Sequence, residues 1–372
     1  MTVESGVNPR ETSGYARSSD EPAVSIDIES RADATPSRGS RDNLAMRIFS
    51  GIQPTGAKHL GNYAGGFRQY AATQEQGEAF FCIVDLHSIS VDHDPAELRE
   101  RTLDLFAMLI ATGLDPERST IFAQSHVTAH AEASWLLSSV TSFGELRRMT
   151  QFKEKSESRE FVSAALFTYP VLQAGDILLY QTDIVPVGRD QRQHIELTRD
   201  VAERFNSRYG ETFTLPRGVY PEVGAKITDL QEPEKKMSTT GGTEQGTVYI
   251  LDSPDDIRRK FKVAVTDSGR EIAHAEDKPG ISNLIEIMTV STGESIADIE
   301  TRYDGQGYGA FKTEVAESVI ALLEPFQRRF REVRADADEL HRLLAYGAEK
   351  ATAVSHPTLE AMYERMGFVR PR

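Results

Sequence analysis

Gly51-Ile52-Gln53-Pro54-Thr55-Gly56-Ala57-Lys58-His59-Leu60-Gly61-Asn62-Tyr63 is a Gly/Pro-rich turn between two periodic segments. Its reading decides the fold. Upstream, Arg47-Ile48-Phe49-Ser50 reads as a short strand, and downstream Asn62 to Gln74 reads as a helix. A strand that passes through glycine into a helix is suited to phosphate. Glycine lets the backbone approach an anion, and the first amides of the helix carry partial positive charge. Gly61 holds that place here, with His59 and Asn62 as side-chain donors beside it.

Working outward, strands and helices alternate. Phe80 to Val84 is a continuous apolar run suited to a buried parallel strand, followed by a helix over Pro95 to Thr112. Thr120 to Ala123 reads as strand, His130 to Val140 as helix, Ala164 to Tyr180 as helix and Asp183 to Val187 as strand. Asp190 to Tyr209 reads as a helix with Leu197, Val201 and Phe205 at four-residue spacing. The order predicts an α/β fold with a doubly wound, Rossmann-like parallel sheet. Beyond residue 236 the pattern is mainly helical, with Thr247 to Leu251 the one clear strand signal. The expected division is a Rossmann-like catalytic domain with a helical insertion over 46–235 and a helical domain over 236–372. Residues 1–45, rich in Ser, Arg, Asp, Glu and Pro, cannot bury enough apolar surface to offset chain entropy. They read as a disordered extension or as residues ahead of the true start.

The 372 residues can bury one large or two moderate cores. The single cysteine, Cys82, reads as core and allows no disulfide within the chain. No apolar run reaches the length of a membrane span, and a cytoplasmic location is expected. A net charge of −15 argues against broad nonspecific nucleic-acid affinity, so any RNA contact must be local. Two basic clusters qualify: Arg258, Arg259, Lys260 and Lys262, and Arg328, Arg329, Arg331 and Arg334. A solvated helix face of mixed charge is an equal reading of each.

His59-Leu60-Gly61-Asn62 resembles the HIGH element of class I aminoacyl-tRNA synthetases, with Asn62 for its second histidine. Lys235-Lys236-Met237-Ser238-Thr239-Thr240 resembles the KMSKS loop, with Thr239 for its second lysine. Asp85-Leu86-His87, Gly144 to Lys153, Tyr169 to Tyr180 and Thr182 to Gly188 further resemble the bacterial tryptophanyl enzymes, from about Met46 onward. The resemblance implies ATP-dependent activation of tryptophan, transfer to tRNA(Trp), a homodimer, and Mg2+ arriving with ATP rather than in a protein cage. It also implies that the helical 236–372 region reads tRNA and its anticodon.

By the same resemblance, Gln53, Pro54, Thr55, Gly61, Asn62, Gly188, Arg189, Asp190, Ile227, Lys236, Met237, Ser238, Thr239 and Thr240 contact ATP. His59, Asn62, Lys236 and Lys155 carry catalysis, with Lys153 and Lys235 as further cations near the triphosphate. Displacement at phosphorus needs positioning and charge stabilisation rather than covalent help, and a mobile ammonium suits charge that moves. Asp190 could accept from ribose or cap the following helix. Asp176, in an otherwise apolar helix, needs a donor, and in the family that donor is the indole N–H. Phe49, His87, Val185 and Val187 would wall the ring, with Tyr169 and Gln191 toward the ammonium and Gln173 also in the tryptophan site. Two residues depart from the pattern. Thr239 removes a cation, and Gln173 stands where methionine is usual and also suits a Tyr-x-x-x-Gln-x-x-Asp run of tyrosyl enzymes. The strand end Val187-Gly188-Arg189-Asp190-Gln191 speaks against tyrosine. A tyrosyl-tRNA synthetase and a catalytically weak tryptophan- or ATP-binding relative are the alternatives, and the two departures fit a divergent auxiliary enzyme.

Overall fold

The computed structural model describes residues 45–157, 161–220, 227–239 and 241–369. Five parallel strands form one sheet in the order β3-β2-β1-β4-β5: β1 (Arg47–Ile52), β2 (Glu78–Ile83), β3 (Thr120–Ala123), β4 (Ile184–Pro186) and β5 (Arg217–Val219). Phe49 of β1 stands opposite Phe80 of β2, and Ile48 opposite Ile184 of β4. The doubly wound parallel sheet is as expected. Chain direction across the sheet reverses between β1 and β4, and ligands bind at such a reversal, beyond the carboxyl ends of the strands.

The turn after β1 leads into α1 (Leu60–Asn62), a π-helical turn over Tyr63–Phe67 and α2 (Arg68–Thr73). The expected single helix is interrupted there because Gly65 and Gly66 weaken the regular pattern. After β2 come α3 (Asp85–Ser88) and α4 (Pro95–Ala111), which starts where Asp94 accepts from the Glu97 amide with Pro95 in the first turn. After β3 follow α5 (Ala129–Ser138), α6 (Phe143–Arg148), α7 (Thr150–Glu157) and α8 (Ala164–Leu178). Ser163 caps α8, and α9 (Arg192–Tyr209) fills the step from β4 to β5. The remaining helices are α10 (Pro254–Lys262), α11 (Pro279–Thr292), α12 (Ile296–Arg302), α13 (Tyr308–Ala335) and α14 (Ala337–Arg365).

Two apolar cores flank the sheet. One joins Phe81 and Ile83 of β2 and Leu105, Phe106 and Leu109 of α4 to Leu284 of α11 and Phe311 and Leu323 of α13. The other joins Phe49, Phe80 and Phe122 to Val171 and Ile177 of α8, Val201 and Phe205 of α9, and Leu359 of α14. Each large side chain so buried contributes about 1.5–3 kcal/mol. The helices past residue 254 therefore pack directly on the sheet layer. At Gly347 of α14, an added Cβ would meet the Ile121 carbonyl at 1.8 Å, so helix and strand approach backbone to backbone only because glycine is there.

One strand expectation needs correction. Thr247 to Leu251 is not a strand: Tyr249 makes an isolated antiparallel bridge with His59, because its partner is a turn too short to ladder. β5 gave no apolar run by which to find it, being Arg217-Gly218-Val219 only. The disordered extension lies, but for Ala45, outside the described residues.

Candidate active site

Beyond β1 and β4 opens a cleft of about 1150 Å³ whose lining includes Phe49, Gln53, His87, Tyr169, Gln173, Asp176, Val185, Val187, Gly188, Arg189, Asp190 and Gln191. The strand ends supply Phe49, Val185 and Val187, while α8 lays Tyr169, Gln173 and Asp176 along one side at three- and four-residue steps. Residues distant in sequence thus meet where the sheet reverses.

Asp176 is 1 % exposed, and both of its carboxylate oxygens have partners within the protein. Its Oδ1 accepts from Gln124 Nε2 at 2.6 Å and faces His130 Nδ1 at 2.7 Å; its Oδ2 faces His87 Nε2 at 2.8 Å. Burial pushes the carboxyl's pKa upward, but hydrogen bonds from His130 and His87 outweigh it and bring it to about 2. The expected need for a donor is met, in part, internally. Gln124 and His130 escaped the sequence reading. Gln124 stands just past a parallel strand's carboxyl end, a usable signal, whereas nothing in sequence links His130 to a residue 46 positions later. Tyr169 directs its hydroxyl to His194 Nε2 at 2.8 Å, and Gln173 Nε2 lies 3.5 Å from Gln191 Oε1. Asp190 does not cap α9. Gln191 is the N-cap and donates to Asp190 Oδ2 at 2.9 Å from within the turn Arg189–Gln191.

Of the residue-51 turn only Gly51 and Gln53 line the cleft, and the Lys-Met-Ser loop, which does not, is held to that turn by Thr239 on the Ala57 carbonyl. Asn62 Oδ1 accepts from the His59 amide at 3.0 Å, closing the first turn, and a Cβ at Gly61 would press on the His59 ring at 3.0 Å. Only glycine leaves that imidazole room. His59 is 6 % exposed, its Nδ1 is buried with no partner among the described residues, and burial, then the charges of Lys236 and Lys58, lower its pKa to about 4. It is neutral at pH 7. Lys58 donates to the carbonyls of Gln53 and Thr55 at 2.7 and 3.1 Å, which fixes the turn's curvature.

Lys236 is exposed and bridges Thr228, and Met237, buried at 1 %, anchors the loop to Ile227. Asn283 of α11 pairs with both backbone groups of Thr228, and buried Asp229 accepts from the amides of Gln231, Glu232 and Thr243. Thr239, which replaces the lysine, donates its hydroxyl to the Ala57 carbonyl at 2.8 Å and lies against Gly56. Lys235 pairs with Glu232 and points away from this task. Lys153 is exposed on α7, while Thr240 and the side chain of Lys155 lie outside the described residues.

The basic clusters fare differently from the expectation. Lys260 is buried, bound to Asp252 at 2.5 Å and the Thr247 carbonyl at 2.8 Å; Arg258 pairs with Glu317 and Arg259 with Asp256. Arg334 pairs with Asp104 and Glu100, and Arg329 with Glu332. Nearby acids thus pair with Arg258, Arg259, Lys260, Arg329 and Arg334, whereas Arg328 and Arg331 stand exposed on α13.

The family model of the class I tRNA synthetases for tryptophan and tyrosine matches residues 41–324. This chain belongs to that family. A tryptophan–tRNA ligase of Caldanaerobacter subterraneus is 51 % identical over 87 % of this chain and 98 % of its own length. Tryptophan–tRNA ligase 2 of Streptomyces avermitilis is 52 % identical over 87 % of this chain and 97 % of its own. Among solved structures, the tryptophanyl-tRNA synthetase of Campylobacter jejuni, complexed with ADP and tryptophan, superposes with a TM-score of 0.78 at 34 % identity, covering 87 % of this chain and 100 % of that one.

Proposed function

We propose that this protein is a tryptophan–tRNA ligase that forms tryptophanyl-adenylate from tryptophan and ATP and then charges tRNA(Trp). The observation that carries the reading is the ionised, buried Asp176 in a cleft that opens where the sheet reverses and that is also lined by Gln53, Gly188, Arg189 and Asp190. The tryptophan ring lies between Phe49, Val185 and Val187 with its N–H on Asp176, and Tyr169, Gln173 and Gln191 receive the ammonium. ATP lies along Gln53, Pro54, Thr55, Gly61, Asn62, Gly188, Arg189, Asp190 and Ile227, bringing Mg2+ as part of the substrate complex.

The tryptophan carboxylate attacks the α-phosphorus and pyrophosphate leaves in line. Lys236, whose charge already reaches His59, follows the departing negative charge with Met237, Ser238 and the loop hydroxyls of Thr239 and Thr240. Neutral His59 offers a hydrogen bond to the nucleotide without adding a charge that would compete with Lys236. Lys153 and Lys155 supply further cations from the α7 side. In the second step a terminal hydroxyl of tRNA attacks the adenylate carbonyl and AMP departs.

A homodimer in the cytoplasm completes the reading, supported by Trp135 of α5 and Phe143 at the start of α6, which stand 79 % and 68 % exposed. No described helix is long and apolar enough to cross a membrane. Gln173 and Thr239, the two departures from the family's pattern, support an auxiliary rather than housekeeping enzyme. Charging of tRNA(Trp) and tRNA(Tyr) transcripts with labelled tryptophan and tyrosine tests the assignment. Tryptophanyl-tRNA(Trp) is the expected product, and tyrosyl-tRNA(Tyr) at equal or greater rate would overturn it.

A further inference from the structure

Behind Asp176 lies a polar chain that does not reach the cleft. The carboxylate of Asp176 is ionised and can only accept, so the ring nitrogens facing it carry hydrogen: His87 Nε2–H toward Oδ2 and His130 Nδ1–H toward Oδ1. In a neutral His130 the other nitrogen, Nε2, must then accept, and the Tyr180 hydroxyl stands 2.9 Å from it. Tyr180 keeps its proton, because burial pushes the phenol's pKa well up. His130 and Tyr180 are both 0 % exposed, and Phe122 and Tyr180 pack their rings against the imidazole. The phenol thus fixes the tautomer, and the tautomer fixes the donor.

The two carboxylate oxygens are left unequal. Oδ1 receives two protein donors, from Gln124 at 2.6 Å and His130 at 2.7 Å, whereas Oδ2 receives one, from His87. A carboxylate oxygen accommodates about two donors, so Oδ1 is filled and Oδ2 has room for one more. His87 and Asp176 line the cleft, while His130 and Tyr180 stand behind them.

We propose that His130, with Tyr180, is a positioning and specificity-determining residue: by filling Oδ1 it turns Asp176 so that Oδ2 alone is offered to a single ring N–H in the cleft. The inference rests on the proposed function in taking that N–H to be the indole's. It has a consequence for pH. Burial opposes ionisation of Asp176 and the two imidazoles overcome it, so loss of His130 lets burial raise the carboxyl's pKa toward neutrality. The titratable groups facing the carboxylate are His87, His130, Tyr180 and Cys82, and Cys82, its pKa pushed up by burial, stays a neutral thiol. A protonated Asp176 no longer offers the same acceptor, so tryptophan binding would weaken as pH falls.

The test compares the full-length wild type with His130→Leu, His130→Asn and Tyr180→Phe. Pyrophosphate exchange gives kcat/KM for L-tryptophan and for β-(benzothiophen-3-yl)alanine, in which sulfur replaces the ring N–H, together with KM for ATP. Calorimetry gives tryptophan Kd from pH 5.5 to 8. His130→Leu should lower the preference for tryptophan over the sulfur isostere by about tenfold or more, the scale of one lost charge-assisted hydrogen bond. KM for ATP should stay within about twofold, and tryptophan Kd should rise toward acid pH where the wild type is flat. His130→Asn, which keeps an N–H near the Nδ1 position, should recover most of the preference, and Tyr180→Phe should fall between. If His130→Leu does not fold, a Tyr180→Phe enzyme with wild-type preference and a flat pH profile overturns the proposal. So does a folded His130→Leu with unchanged preference, or an Asn variant no better than Leu with ATP and tryptophan constants worsening together. A wild type that does not activate tryptophan at all would instead refute the proposed function.

Discussion

In the proposed amino-acid site Asp176 and its neighbours are buried and partnered with one another, whereas the groups proposed for ATP ride on two loops joined by the Thr239 hydroxyl on the Ala57 carbonyl. Asp176, His87, Gln124, His130 and Tyr180 form a closed set, each held by a sheet strand's end or a packed helix. Lys236, Thr239 and Lys58 are half-buried or exposed; Thr239 and Lys58 are held by carbonyls of Ala57, Gln53 and Thr55, and Lys236 sits in a backbone bridge made by its neighbours Met237 and Lys235 to Ile227 and Asp229. The difference follows from the ligands. An indole keeps one shape and one donor throughout the reaction, so its site can be prebuilt, but the charge on a triphosphate migrates and its partners must follow.

The largest effect should come from removing the acceptor in the prebuilt half. Asp176→Ala is expected to lower kcat/KM for tryptophan by about 10³-fold or more, since a site built on a hydrogen bond fails when one side is missing. ATP Kd, measured by calorimetry, should stay within about twofold. A comparable loss of ATP binding would mean that the two halves are not separable. Lys236→Ala should act in the opposite sense, slowing the pre-steady-state adenylate burst by about 10²-fold while tryptophan Kd hardly moves. Steady-state charging is the poorer readout, because product release can limit it.

A smaller effect sharpens the contrast. Thr239→Val keeps the shape but loses the hydroxyl on the Ala57 carbonyl, and should slow the burst by about 2–10-fold, the worth of one neutral hydrogen bond. Thr239→Lys restores the family's cation while breaking the same contact, so its burst separates charge from clasp: faster than wild type if charge dominates, slower if the clasp does. The smallest concerns His59, whose folded pKa of about 4 lies below the unfolded value of about 6.5. The unfolded chain binds more protons between these values, so stability contributed by neutral His59 is complete above about pH 6.5 and declines as pH falls to 4. His59→Gln should flatten the fall of Tm across that window, and an unchanged slope would place the acid lability elsewhere.

Much of this was legible before any coordinates. The apolar run Phe80 to Val84 and the turn from residue 51 pointed to the sheet, and the strand end at Val187 to Gln191 to the cleft, because these features depend on local spacing. What escaped depends on tertiary placement. His130 sits in a helix with no signal that it turns inward to Asp176, and the clasp of Thr239 on Ala57 joins residues 182 positions apart. The arginines of α10 and α13 looked like an RNA surface only until Glu317, Asp104 and Glu100 were brought beside them.

The account stands most directly on amino-acid-dependent ATP/pyrophosphate exchange measured over all twenty amino acids. Exchange that depends on tryptophan, with tyrosine and phenylalanine far below it, is the predicted result. Exchange with tyrosine equal to or above that with tryptophan, or none with any amino acid, would contradict it.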